Sequence, residues 1–133
     1  MCEKDIYEDA FRIGEIIAEK KYTLVCGGLG GVMEAAAKGA KSKKGLTVGI
    51  LPSSNKNYAN KYIDIPISTN MGHARKIIIA HTADKLIAVG GEYGTLSEVA
   101  IGLKLGKKVF SWKSWDIKGV FPLKKIDELR EIL

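Results

Sequence analysis

The chain has 133 residues, of which 46% are apolar and 27% charged, and it carries a net charge of +6. That length fits a single domain, residues 1–133, with enough chain to build a full core without staples. No apolar run approaches the roughly 20 residues of a membrane span, and the acidic opening "MCEKDIYEDA" lacks the apolar core of a secretory signal.

The two cysteines, Cys2 and Cys26, form neither a disulfide framework nor a metal-ligand pattern. A reduced, cytoplasmic setting and no metal site are therefore expected. The positive charge is uneven: six lysines fall between Lys38 and Lys61, with no acid until Asp64. Such a stretch can meet phosphates or nucleic acid. Arginines and interleaved aromatics are scarce there, so a solvated lysine-rich surface is the favoured reading and nucleic acid is disfavoured.

Asp5 is read as opening the first helix, with Glu8 three residues on as in an acidic capping box. Ile6, Ala10, Ile13 and Ile17 recur at helical spacing through Lys20. "KYTLVC" reads as a short buried strand, and "GGLGG" turns the chain into the alanine-rich helix "VMEAAAKGA". "GLTVGILP" is the next strand, stopped by Pro52, and "SSNKNYANKY" is a polar loop. "YIDIPIS" is a strand whose Pro66 marks an edge or a strand end. "TNMGHARKIIIAHTA" passes from loop to helix, and "DKLIAV" is a strand. The turn "GGEYG" leads into a helix that Gly106 ends. "KKVFSW" is a further strand, and "PLKKIDELREIL" reads as a terminal amphipathic helix begun by Pro122.

Strands alternate with helices throughout. The expected fold is therefore α/β and Rossmann-like: a doubly wound, mainly parallel sheet with helices on both faces. One feature breaks the pattern. Such folds begin with a strand, whereas this chain begins with a helix that has no strand to cross from. A first strand is expected and is missing.

Two turns share one grammar of strand, glycines and helix start: Gly27, Gly28, Gly30 and Gly31 in the first, Gly90, Gly91 and Gly94 in the second. Glycines let a ligand approach the backbone, and the helix start adds unpaired N–H donors and partial positive charge. Phosphate is the natural ligand, and two such turns at strand carboxyl ends are expected to face one crevice. Neither is a Walker A loop, and the dinucleotide fingerprint fails because Met33 stands where its third glycine belongs. Thr95-x-x-Glu98 reads on pattern alone as a capping box. Met33 reads as core, and Cys26 as an inert buried thiol.

Taken together, "GGLGGVMEAAAKGA", "GLTVGILP", "GHARK" and "GGEYGTLSE" resemble the superfamily of molybdenum-cofactor carrier proteins and LONELY GUY phosphoribohydrolases, long labelled "lysine decarboxylase-like". "GGVMEAA", "GILP" and the GT-x-x-E turn lie nearest the carrier branch. The resemblance covers nearly the whole chain.

It implies that Gly91, Gly94, Thr95 and Glu98 match the hydrolases' PGG-x-GT-x-x-E turn, with Gly90 in place of the proline and Glu92 in place of the second glycine. It also implies that Arg75 and Lys76 match their M-H-x-R-K block, with Gly72 in place of the methionine and His73 in place. On that reading Arg75 and Glu98 are the catalytic pair if the protein is a hydrolase, and Arg75, Lys76 and Thr95 join the seven turn glycines in gripping a phosphate. No lysine stands out as a Schiff-base candidate for a decarboxylase.

The expected function is a binding protein for a phosphate-bearing nucleotide or pterin, similar to the carriers. The molybdenum cofactor or a nucleotide would be the bound ligand, and no other cofactor is needed. The alternative is a phosphoribohydrolase that cleaves nucleoside 5′-monophosphates. The resemblance also implies a homodimer or larger assembly, and the run Ile77-Ile78-Ile79 with "VAIGLKL" offers apolar faces for it.

Overall fold

The computed structural model describes residues 3–133; Cys2 lies outside them. In chain order the elements are α1 (Lys4–Glu19), β1 (Leu24–Cys26), α2 (Val32–Ser42), β2 (Thr47–Leu51), β3 (Ile65–Ser68), α3 (Arg75–Thr82), β4 (Lys85–Val89), α4 (Tyr93–Lys104), β5 (Lys108–Trp112), β6 (Phe121–Pro122) and α5 (Leu129–Ile132). All strand pairs are parallel. The expected α/β, Rossmann-like, doubly wound architecture is what the chain forms.

Among the described residues, six strands divide into two hydrogen-bonded sheets, β1-β2-β3 and β4-β5-β6. They share one core. Ile13, Ile16 and Ile17 of α1, Ala36, Ala37 and Ala40 of α2 and Leu129 of α5 pack with Leu24 of one sheet and Phe110 of the other. A smaller cluster, Ala88, Val99 and Val109, seals α4 onto the second sheet.

The alanine-rich sequence of α2 has a packing reason. A side chain at Gly39 would collide with the Phe11 carbonyl, and one at Gly14 with the Ala36 carbonyl. The two helices therefore meet backbone to backbone, which only glycine and alanine permit. Pro66 sits on β3, the outer strand of its sheet, as an edge strand allows.

Two local readings are corrected. The first helix is capped at Glu3 with no side-chain cap bond. Asp5 lies within its first turn, 3.8 Å from the Lys113 ammonium. Pro122 belongs to β6, paired with Ser111 at a sheet edge, and does not begin the last helix. That helix is short because the Glu128 carboxylate accepts the Lys124 and Lys125 backbone N–H groups at 2.6 and 2.7 Å. Those bonds hold the chain in a turn until Ile126. The isoleucine run of α3 divides between core and surface: Ile79 and Ala80 are buried, and Ile77 is 48% exposed.

Candidate functional site

The two glycine turns open on the same cavity. Gly27, Gly30 and Gly31 line it from the end of β1, and Gly90, Gly91 and Gly94 from the end of β4. Arg75, Lys76, Thr95 and Glu98 line it as well, so every residue singled out for the site reaches it except Gly28. That residue is buried beneath the first turn. Its φ is +79°, and a side chain there would strike Leu51 Cδ2 at 2.6 Å. Gly28 is thus a requirement of the turn, not a contact surface.

The other glycines separate by the same test. Gly90 needs its freedom, at φ +84°. Gly30 and Gly91 have no positive φ, and a Cβ at either would meet nothing within 4 Å. The fold does not require glycine at those two positions. Their bare backbone leaves open surface facing the cavity, the form that close approach of a ligand demands.

Arg75 is the first residue of α3 and is 6% exposed. Its guanidinium lies over the first turn: a Cβ on Gly27 would be 2.8 Å from an Arg75 terminal nitrogen and 2.6 Å from Met33 Sδ. Arg75 Nε is buried without a hydrogen-bond partner. Burial pulls the Arg75 pKa down, against the opposing pull of the Glu98 carboxylate and the Cys26 sulfur. A buried guanidinium with an unmet donor is costly unless something anionic completes it.

Glu98 faces it from α4. Helix α4 starts at Tyr93 and its N-cap is Glu92, with no side-chain cap bond. Thr95 and Glu98 therefore lie inside the helix, and the capping-box pattern does not act as one here. Burial raises the Glu98 pKa, with Lys76 and Arg75 pulling the other way.

The sign of that shift gives a prediction. A carboxyl that keeps its proton more tightly when folded favours the folded state below the ordinary carboxylate range, and that advantage is lost as pH rises through the folded pKa. Glu98→Gln should therefore melt higher than the parent at pH 7 and at the same temperature at pH 4. A calorimetric scan at both pH values checks this.

Lys76 connects the walls. Its ammonium donates to Ser97 Oγ at 3.0 Å and to the Gly94 carbonyl at 3.3 Å, fastening α3 to the start of α4. His73 lines the cavity from an exposed turn. Cys26, at the end of β1, is held inert: burial pushes its thiol up to about 11.

Asn60 and Trp115 support the site without having been read from the sequence, and Met33 supports it from a place other than the one expected. Asn60 braces the first turn, its amide nitrogen donating to Leu29 O at 2.8 Å and its backbone N–H to Gly28 O at 2.8 Å. Met33, expected in the core, instead lies beneath Gly27 at the cavity wall. Trp115 Nε1 donates to the Glu92 carbonyl at 3.0 Å and pins the second turn. The only sequence signal for Asn60 was turn chemistry in a polar loop, which does not say which turn it serves. Asn60→Ala should cost about 1–2 kcal/mol of stability, since it leaves the Leu29 carbonyl without its side-chain donor. Urea denaturation measures the loss.

Parallel strands alternating with helices, with two glycine turns at strand carboxyl ends opening on one cavity, define an α/β protein of the Rossmann-like class. Residues 1–131 match the SLOG cluster4 family, and the chain belongs to that family. A solved structure described as the molybdenum cofactor binding protein of Rippkaea orientalis superposes with a TM-score of 0.93 at 35% identity, covering 99% of this chain and 88% of its own. A protein of Archaeoglobus fulgidus is 60% identical over 112 residues, 84% of this chain and 74% of its own length. A probable cytokinin riboside 5′-monophosphate phosphoribohydrolase of Oryza sativa subsp. japonica is 30% identical over 97 residues, which is 70% of this chain and 43% of that protein.

Proposed function

We propose that the crevice binds a phosphate-bearing heterocycle, a pterin phosphate such as the molybdenum cofactor or a nucleotide, and holds it without cleaving it. The observation that carries this reading is the Arg75 guanidinium, buried with its Nε unpaired between two glycine turns. A phosphate on the open backbone of Gly30 and Gly91 supplies the missing anion and acceptor, and Arg75 takes it in a charged, directional hydrogen bond. Lys76 adds positive charge from α3, and Gly94 and Thr95 add donors from the start of α4. The Rippkaea protein's description names a ligand of this chemistry, and likeness to it runs over nearly the entire chain.

The second reading is a phosphoribohydrolase. It is favoured by one observation: Glu98 lines the crevice near Arg75 instead of capping its helix. A carboxylate there meets the cationic sugar that forms as a base leaves ribose 5-phosphate. Against it, Gly90 and Glu92 depart from the hydrolase turn. On either reading the protein works as a homo-oligomer, with exposed Ile77 and the exposed Ile65 and Ile67 of β3 as contact surface.

The two readings part on turnover. The protein is incubated with a panel of nucleoside 5′-monophosphates and with molybdopterin, and the products are separated by chromatography. Retention of an intact phosphate-bearing compound with no free base supports the carrier. Release of free base that is abolished in Glu98→Gln, with binding kept, supports the hydrolase.

A further inference from the structure

The second glycine turn and the loop after β5 leave their sheet side by side. Val89 pairs with Trp112 at the ends of β4 and β5, and the Gly90 N–H donates to the Trp112 carbonyl at 3.2 Å. Beyond Trp112 the chain brings Trp115 back to the turn, where its indole N–H donates to the Glu92 carbonyl at 3.0 Å. The same indole lies against the ring of Tyr93, the first residue of α4, with centroids 6.0 Å apart and planes inclined by 25°. That is a stacked pair.

Tyr93 is well held, yet it covers nothing. It is 82% exposed, the most exposed large apolar side chain among the described residues. Its neighbours Glu92 and Gly94 both line the crevice, and Tyr93 does not. The ring therefore stands at the rim, outside the cavity, beside the turn proposed to hold the phosphate. Trp115 backs one side of it and leaves the other to water.

A flat ring with one open face suits another flat ring. Bases stack on aromatic side chains with little regard to identity, because every base has a π-face. A ring already fixed by its neighbour gives up little freedom when the stack forms. A heterocycle inside the crevice does not meet this face, since Tyr93 is no part of the cavity wall. A group that leaves the phosphate on its outer side does. A phosphate monoester has nothing to place there, whereas a pyrophosphate carrying a second nucleoside has.

We propose that the Tyr93–Trp115 pair is a stacking platform for a second base, and that the ligand is a dinucleotide. One heterocycle lies in the crevice, the pyrophosphate lies on the glycine turns, and the other base lies on Tyr93 with Trp115 behind it. A second base there presupposes the phosphate-binding reading of the crevice and extends the ligand outward from it. Such a ligand needs no G-x-G-x-x-G turn, because two separate turns and Arg75 share its pyrophosphate.

Titration calorimetry tests this with ADP against diadenosine 5′,5′-diphosphate, and FMN against FAD, on the parent chain, Tyr93→Leu, Tyr93→Phe and Arg75→Ala. ADP carries more negative charge than the diadenosine compound, so a gain on adding the second nucleoside is not electrostatic. For at least one pair the dinucleotide should bind about 10-fold more tightly than its partner. Tyr93→Leu keeps apolar bulk without a flat face and should cut that preference to about 2-fold or less, and Tyr93→Phe should keep it. Arg75→Ala should weaken both members of a pair alike. No preference for either dinucleotide, absent binding included, overturns the platform, and so does a preference that survives in Tyr93→Leu. A Tyr93→Leu protein that sediments as a smaller species while its ligand preference persists would assign the pair to a contact between copies, and also overturns it. Failure of the phosphate reading shows separately, as ADP and FMN affinities that Arg75→Ala leaves unchanged.

Discussion

Arg75→Ala is expected to weaken binding of a nucleoside 5′-monophosphate or molybdopterin by roughly 1.5–3 kcal/mol, one to two orders of magnitude in Kd. The free protein should melt no lower than the parent. The two halves of this expectation come from the same geometry. In the free protein the guanidinium is buried, its Nε has no partner, and burial pulls its pKa down. Removing such a group relieves a desolvation cost while it removes packing against Gly27 and Met33. On the proposed function the arginine is a principal charged donor to the phosphate. Arg75→Lys should not restore the affinity, because an ammonium lacks the flat two-pronged donor face. An arginine with a purely structural role would give the opposite pattern, with lowered stability and unchanged affinity. Titration calorimetry and thermal melting on the same preparations separate the two.

Gly91→Val is expected to reduce ligand affinity by about 100-fold or more, near 2.7 kcal/mol, with a stability change within about 0.5 kcal/mol. A side chain at Gly91 meets no atom of the protein within 4 Å, and its backbone is not left-handed. Nothing in the fold objects to the substitution, so its effect falls on whatever occupies the open surface. Gly28→Ala provides the contrast. That glycine has φ +79° and lies against Leu51 and Gly49, so alanine should lower stability by at least about 1–2 kcal/mol. Chemical denaturation and ligand titration of both variants distinguish a glycine the ligand needs from one the turn needs.

Much of the fold was legible because its signals are local. The apolar spacing of Ile13 and Ile17 gave α1, and the short apolar runs bounded by glycine gave β1, β2 and β4. The alternation of the two types gave the parallel sheet. What escaped was set by contacts distant in sequence. Pro122 is a helix starter by local preference, but pairing with Ser111 places it on a strand. Asn60 looks like any loop asparagine until the fold carries it to the Leu29 carbonyl.

The site divides in the same way. Repeated strand–glycine–helix grammar placed both turns, and family resemblance singled out Arg75 and Glu98. Periodicity carries no information about which carboxylates cap helices. The position of Glu98 inside α4 came only from where the helix begins. Nor does the sequence distinguish Gly28 from Gly91. Their difference lies in φ and in what surrounds the missing side chain.

The proposed function requires the crevice to recognise a phosphate. Titration calorimetry of nucleoside 5′-monophosphates and of molybdopterin, each against its dephosphorylated counterpart, tests it most directly. At least one phosphate-bearing compound should bind about 100-fold more tightly than its dephosphorylated form, or tighter still, and most of this preference should disappear in Arg75→Ala. Equal affinity for the two forms, or a phosphate preference untouched by Arg75→Ala, would contradict it.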